Sequence, residues 1–247
     1  MLAGFAGGRE TRRAVIRKMR LRVAEGLTGG RGRGGEGRMV GRIIETESDV
    51  AEGAAWLAAV EPRFARALEL TGPLPLRRRA DGFATLFSAI VSQQVSTASA
   101  AAIWARLEAA GATEPIGLAA LSDELLRGCG LSRQKIAYAR AIAGGGLDFA
   151  ALRALPTEEV VAELVRVKGV GVWTAEIYAM FSLGRADVFA PGDLALRDAA
   201  RVLFQIETRP SESDLRAMSL AWSPWRAVAA RLLWAYYRVM NQREGVR

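Results

Sequence analysis

The chain of 247 residues has no histidine and a single cysteine, Cys129. Without an imidazole, His-based catalysis and His-ligated metals are excluded. One cysteine cannot close an intrachain disulfide, nor supply a four-cysteine zinc or iron–sulfur site. Long apolar runs are missing too, since none approaches the ~20 residues that a membrane span needs. The N-terminus lacks the continuous apolar stretch of a secretory signal. No acidic cluster suggests a catalytic divalent metal. Period-two alternation is nearly absent, with GRIIET (41–46) the one stretch that hints at a strand.

What the sequence does contain is apolar and helical. Apolar residues make up 51% of the chain, enough to bury a sizeable core. The formal net charge is +8, but residues 1–38 hold ten basic and three acidic groups, whereas the remaining 209 residues hold 24 and 23. If the folded part binds a polyanion, it must use a local patch and backbone donors. Residues 1–38, with segments such as LTGGRGRGGEGR, cannot bury a core and read as a disordered basic tail. Three origins fit it: a nucleic-acid-binding arm, an Arg-rich targeting segment, or an extension upstream of a start at Met39.

From Ser48 onward the pattern is helical almost throughout, and the fold class is all-α. SDVAEGAAWLAAV opens with a serine cap, and Pro62 starts PRFARALEL. FATLFSAIVSQQ and VSTASAAAIWARLEAAG follow the loop TGPLPLRRRADG. SDELLRGCG and SRQKIAYARAIAGGG each start at a capping serine, Ser122 and Ser132, and stop at glycine. PTEEVVAELVRVKG begins with Pro156–Thr157 as its cap, and the last long segment is broken at Pro224.

Between two of these segments lies RVKGVGVWTAE, Arg166 to Glu176. The spacing predicts that one helix ends near Val167 and the next starts near Val172. Gly169 and Gly171 would let the turn adopt positive φ and let another backbone approach. A helix start offers unpaired N–H groups and a partial positive charge, so an anion is its natural ligand, and Lys168 adds a formal charge. An ordinary corner of a helical bundle would use the same Gly–x–Gly.

Three stretches taken together decide more than any one of them. LVRVKGVGVWTA, the loop and helix DVFAPGDLALRDAARVLF with Asp193 twenty residues after Trp173, and the upstream pair FATLFSAIVSQQVSTASAAAIWARL resemble the helix–hairpin–helix (HhH-GPD) superfamily of DNA glycosylases. The branch they resemble is that of 3-methyladenine DNA glycosylase II, the alkyladenine branch. The resemblance covers roughly Ile43 to Met240. It implies a two-lobed helical fold with the active-site cleft between the lobes. The implied layout is a basic tail over 1–42, a glycosylase domain over 43–240 with its hairpin at 164–180 and catalytic loop at 187–194, and a C-terminal tail over 241–247. This would be the compact form, without the extra N-terminal β-domain of some relatives. The missing four-cysteine cluster sets the chain apart from the endonuclease-III and adenine-mismatch branches.

The resemblance also implies roles. Asp193 would be the catalytic carboxylate, stabilising an oxocarbenium-like transition state at C1′ and orienting water. A plain N-cap is the competing reading of Asp193, and Asp187 and Asp198 are its rivals. Trp173 stands where strand-nicking members carry a lysine nucleophile, so a Schiff-base lyase step is not expected. With Trp234 and Tyr178, Trp173 would line the base pocket, although Trp234 also suits core packing. Trp222 and Trp225 read as structural. Gln94, with Gln93 beside it, matches the residue that fills the gap left by a flipped base; two solvated glutamines at a helix end are the alternative. Lys168, Gly169, Gly171 and Thr174 would hold a phosphate, with Arg133 and Lys135 as neighbouring cations. Gly192 stands where some relatives have a second acidic residue.

The expected partner is double-stranded DNA with damaged bases, bound by a cytoplasmic, nucleoid-associated monomer. No cofactor is required by this reading, and the hairpin carbonyls could hold a structural monovalent cation. The function implied is monofunctional release of alkylated purines. A non-catalytic DNA-binding module, or a glycosylase for uracil, hypoxanthine or a mismatch, is the alternative.

Overall fold

The computed structural model describes residues 40–145 and 147–244. Its helices are α1 (Glu47–Val60), α2 (Pro62–Thr71), α3 (Phe83–Val91), α4 (Thr97–Ala109), α5 (Pro115–Ala120), α6 (Asp123–Gly128) and α7 (Arg133–Ala143). They continue as α8 (Phe149–Ala154), α9 (Thr157–Val165), α10 (Val172–Phe181), α11 (Leu194–Leu203), α12 (Glu212–Ser219) and α13 (Arg226–Glu244), with a 3₁₀ turn at Leu220–Trp222. Among the described residues there is no strand: GRIIET contributes one isolated bridge at Ile43. None of the helices is long and apolar enough to cross a membrane. The basic tail lies outside the described residues as far as residue 39, and α13 runs on to Glu244 through most of the expected C-terminal tail.

Side-chain caps set most helix starts. Ser122 and Ser132 accept from the amides of Leu125 and Lys135 at 3.3 and 3.2 Å, as the serine pattern predicts. α1 starts earlier than Ser48 suggests, because Thr46 and Asp49 form a capping box. The amides of Glu45 and Thr46, donating to Asp49, hold that carboxyl at about 2. α9 has Pro156 at its N-cap and no side-chain cap bond, so the expected Pro–Thr cap reduces to a proline-led start. The six-residue helices α5 and α8 escape the sequence reading because fewer than two turns show no periodicity.

The described chain divides into two units, residues 42–76 with 186–244, and residues 40–41 with 77–185. In the first unit α13 packs on α1, α2 and α11. Its core holds a ring cluster in which Trp222 meets Phe64, Phe189 and Phe204 at centroid distances of 5.3, 5.2 and 5.8 Å. Trp225 is also buried, against Gly53, where a Cβ would fall 2.6 Å from the indole. Both tryptophans are therefore structural, as expected. In the second unit α7 is central and packs on α3, α5 and α6, while α9 and α10 pair with each other.

One buried cation ties the second unit together. Arg185 is 1% exposed, and its partners among the described residues are all main-chain carbonyls. Nη1 donates to Val40 at 2.9 Å, and Nη2 to Leu152, Arg153 and Leu155 at 3.1, 3.0 and 2.7 Å. Most of these carbonyls end α8, where the helix dipole favours a cation. Burial lowers the pKa of this guanidinium.

Candidate functional site

In the second unit the chain leaves α9 by a tight turn. Val167 N donates to Leu164 O at 3.1 Å and Val170 N to Val167 O at 3.0 Å. Gly169 has φ of 95°, and a Cβ there would lie 2.3 Å from Cγ of Tyr138 on α7. Glycine is thus required twice over, by backbone and by packing. Gly171 differs, with φ of −84° and nothing within 4 Å of an added Cβ. The expectation that both glycines serve positive φ is corrected: Gly169 alone does. Gly171 is the N-cap of α10, which has no side-chain cap. Lys168 beside it is exposed.

The turn borders a polar concavity of about 450 Å³ lined by Lys168, Gly169, Gly171, Gln93, Gln94 and Tyr138, among others. Gln94 is exposed at φ of 56° in the loop joining α3 to α4. Gln93 points the other way in function: its Nε2 donates to the Gly169 carbonyl at 3.2 Å. Lys135 Nζ donates to the carbonyls of Val91 and Gln93, both at 2.7 Å, and burial lowers its pKa. Its ammonium therefore caps the end of α3 while lining the same concavity as Lys168. Arg133, at the first position of α7, is exposed.

α10 also walls a groove of about 730 Å³ within the same unit. Trp173, Thr174 and Ile177 line one side, and Thr85, Ser88, Ser92 and Trp104 line the α3–α4 side, with Arg79 also present. Trp173 is 47% exposed and Thr174 only 6%. Tyr178 is not among the lining residues. It is 4% exposed, its hydroxyl accepts from Gly82 N at 2.7 Å, and burial pushes its pKa up to about 12. Adjacent helix positions diverge by about 100°, so Ile177, four residues after Trp173, shares its face where Tyr178 does not. That i, i+4 spacing was the available signal for Ile177. Nothing in the sequence marked Trp104, which arrives from α4 with its Nε1 on Glu108 at 2.9 Å.

The first unit carries Asp193 and Trp234. Asp193 is half-buried and caps α11, its Oδ1 accepting from Leu196 N at 3.1 Å. α11 packs along α13, on which Trp234 sits half-buried. Both rival aspartates have cationic partners. Asp187 takes Arg226 Nε at 2.5 Å and Ser223 Oγ at 2.8 Å, and Asp198 takes Arg209 through two bonds at 2.6 and 3.0 Å. Among the described residues no group of three or more Cys, Asp or Glu side chains could hold a metal ion.

Residues 87–226 match the HhH-GPD superfamily of base excision DNA repair proteins. The crystal structure of a DNA-3-methyladenine glycosidase from Bacillus halodurans superposes with a TM-score of 0.71 at 33% identity, covering 81% of this chain and 94% of that one. The Schizosaccharomyces pombe 3-methyladenine DNA glycosylase, solved in complex with abasic DNA, gives a TM-score of 0.65 at 28% identity over 74% of this chain and 95% of that one. The YfjP protein of Bacillus subtilis is 32% identical over 125 residues, which is 49% of this chain and 44% of that protein, so the match spans less than half of its length. The hairpin, the Gly169 turn and the extent of these matches lead to one conclusion: this chain belongs to the HhH-GPD superfamily of base excision DNA repair proteins.

Proposed function

We propose that this chain is a monofunctional DNA glycosylase that hydrolyses the N-glycosidic bond of flipped, alkylated purines of the 3-methyladenine and 7-methylguanine type. The observation that carries this reading is Trp173, a half-exposed indole on the uncapped first turn of α10, walling a groove large enough for a base. The names of the relatives support the same substrate class.

In this mechanism the damaged nucleotide leaves the duplex and its base stacks on Trp173. An alkylated purine is electron-poor, and the indole face contributes on the order of 0.5–2 kcal/mol of cation–π attraction. The bond from C1′ to the base nitrogen breaks with its electron pair leaving on the base. Asp193 stabilises the positive charge that develops at C1′ and orients the water that adds there. With no amine at position 173, the product is an intact strand with an abasic sugar.

Gln94 fills the vacated stack, and the turn 168–171 with the first amides of α10 holds a backbone phosphate. Carbonyls of that turn are oxygen donors of the kind a monovalent cation takes. Val167 O and Gly169 O already accept from Val170 N and Gln93 Nε2, so a cation there would share them, and no step runs through it.

The test is base release from methylated duplex DNA, with and without alkali. Wild type should free methylated purines and break strands only after alkali. Asp193→Asn should bind but barely react, while Asp187→Asn and Asp198→Asn keep activity per folded molecule. Binding without release of any base would sink the reading and leave a different lesion or a non-catalytic module.

A further inference from the structure

We infer that Gln93 is a positioning residue: it ties the loop carrying Gln94 to the hairpin turn, so that wedge and phosphate grip meet the duplex as one piece. The sequence reading grouped Gln93 with the DNA-contacting residues. The structure gives its amide another task.

The loop between α3 and α4 is strained. Gln94 adopts φ of 56°, a conformation that side chains other than glycine visit rarely. Such a residue keeps its place only when its neighbours over-determine it. Three contacts do so here. Lys135 Nζ spans the carbonyls of Val91 and Gln93 at 2.7 Å each, which fixes the end of α3 immediately before Gln94. Gln93 Nε2 donates to Gly169 O at 3.2 Å, which joins that loop to the hairpin. The ring of Tyr138 lies against Cα of Gly169, and Tyr138 shares α7 with Lys135. One helix therefore braces both elements, and Gln93 closes the frame between them. Gln93 can also donate only because its side chain is an amide; a carboxylate of the same shape would face the Gly169 carbonyl as a second acceptor.

This inference rests on Gln94 acting as the wedge. It says that removing the Gln93 amide harms DNA recognition by loosening Gln94 relative to the hairpin. The experiment is a double-mutant cycle on Gln93→Ala and Gln94→Ala, read by affinity for a duplex containing a tetrahydrofuran abasic analogue. Fluorescence of a 2-aminopurine placed opposite the analogue reports the unstacked site. Gln93→Glu keeps the shape and loses the donor.

One net hydrogen bond sets the scale, so Gln93→Ala and Gln93→Glu should each weaken binding and damp the 2-aminopurine signal by about two- to tenfold. In the Gln94→Ala background the Gln93→Ala effect should shrink to less than about 1.5-fold, because the two act as a unit. The Gln93→Glu deficit should also persist when salt is raised, since it arises from a lost donor inside the protein and not from repulsion of phosphate. Additive losses, a neutral Gln93→Glu, or a deficit that disappears with salt overturn the inference while the wedge stands. A neutral Gln94→Ala refutes the wedge and this coupling together.

Discussion

Gly169 and Gly171 stand two residues apart in one turn, yet replacing each by alanine should have very different effects on stability. At Gly169 three terms act. A Cβ at φ of 95° adds strain of about 1–2 kcal/mol. The same Cβ would lie 2.3, 2.4 and 2.8 Å from Cγ, Cδ2 and Cβ of Tyr138, an overpacking of the order of 1–3 kcal/mol. Against these, alanine restricts the unfolded chain by about 0.4–1 kcal/mol in favour of folding. The net loss is about 1–5 kcal/mol. At Gly171 the backbone is extended and nothing lies within 4 Å, so strain and overpacking drop out; the unfolded-chain gain of about 0.4–1 kcal/mol is offset by alanine's poorer fit at an N-cap, about 0.5–1 kcal/mol, and the net change should be near zero. Urea midpoints at constant m-value measure both changes. Affinity for abasic duplex then separates folding from function. Gly171→Ala places a methyl at the mouth of the uncapped first turn of α10, where a phosphate would approach. Its binding should fall by about tenfold or more, the worth of one charge-assisted hydrogen bond, although the stability of the protein barely changes. A Gly171→Ala variant as destabilised as Gly169→Ala, or a neutral Gly169→Ala, would refute the reasoning from φ and contact distance.

Two further predictions concern the frame of the second unit. Arg185→Met strips the donors from the carbonyls of Val40, Leu152, Arg153 and Leu155, and should lower stability by about 3–5 kcal/mol in urea unfolding. Arg185→Lys keeps the charge but loses the fork and should recover only part of this; full recovery would mean that charge alone matters. Tyr178 has its pKa raised by burial from 10.0 to about 12. A raised folded value stabilises below the unfolded pKa, so its contribution of about 2–3 kcal/mol is intact below pH 10 and lost as pH climbs through 12. Tyr178→Phe should flatten that alkaline loss in a pH series of unfolding midpoints, and an unchanged slope would contradict the assignment.

The sequence alone determined the helical class, most helix starts and the hairpin with its glycine turn, because these depend on local rules of capping, periodicity and backbone freedom. Ser122, Ser132 and Pro62 act where a capping argument puts them. Absences were as informative: a chain without histidine cannot use one. Asp193 as a cap was equally legible, since an aspartate after Pro–Gly and before an apolar period has a local task whatever else it does. What tertiary structure decided is which side chains are already engaged. Lys135 and Gln93 look like free polar groups in SRQKIA and SQQVS, yet carbonyls distant in sequence take their protons. Tyr178 and Ile177 differ by one position, and the direction in which α10 presents its face chose Ile177 for the groove. Gly169 and Gly171 read alike until Tyr138, some thirty residues upstream, is packed on one of them and not on the other. Local patterns say what a residue can do, and only long-range packing says which of those options its neighbours leave open.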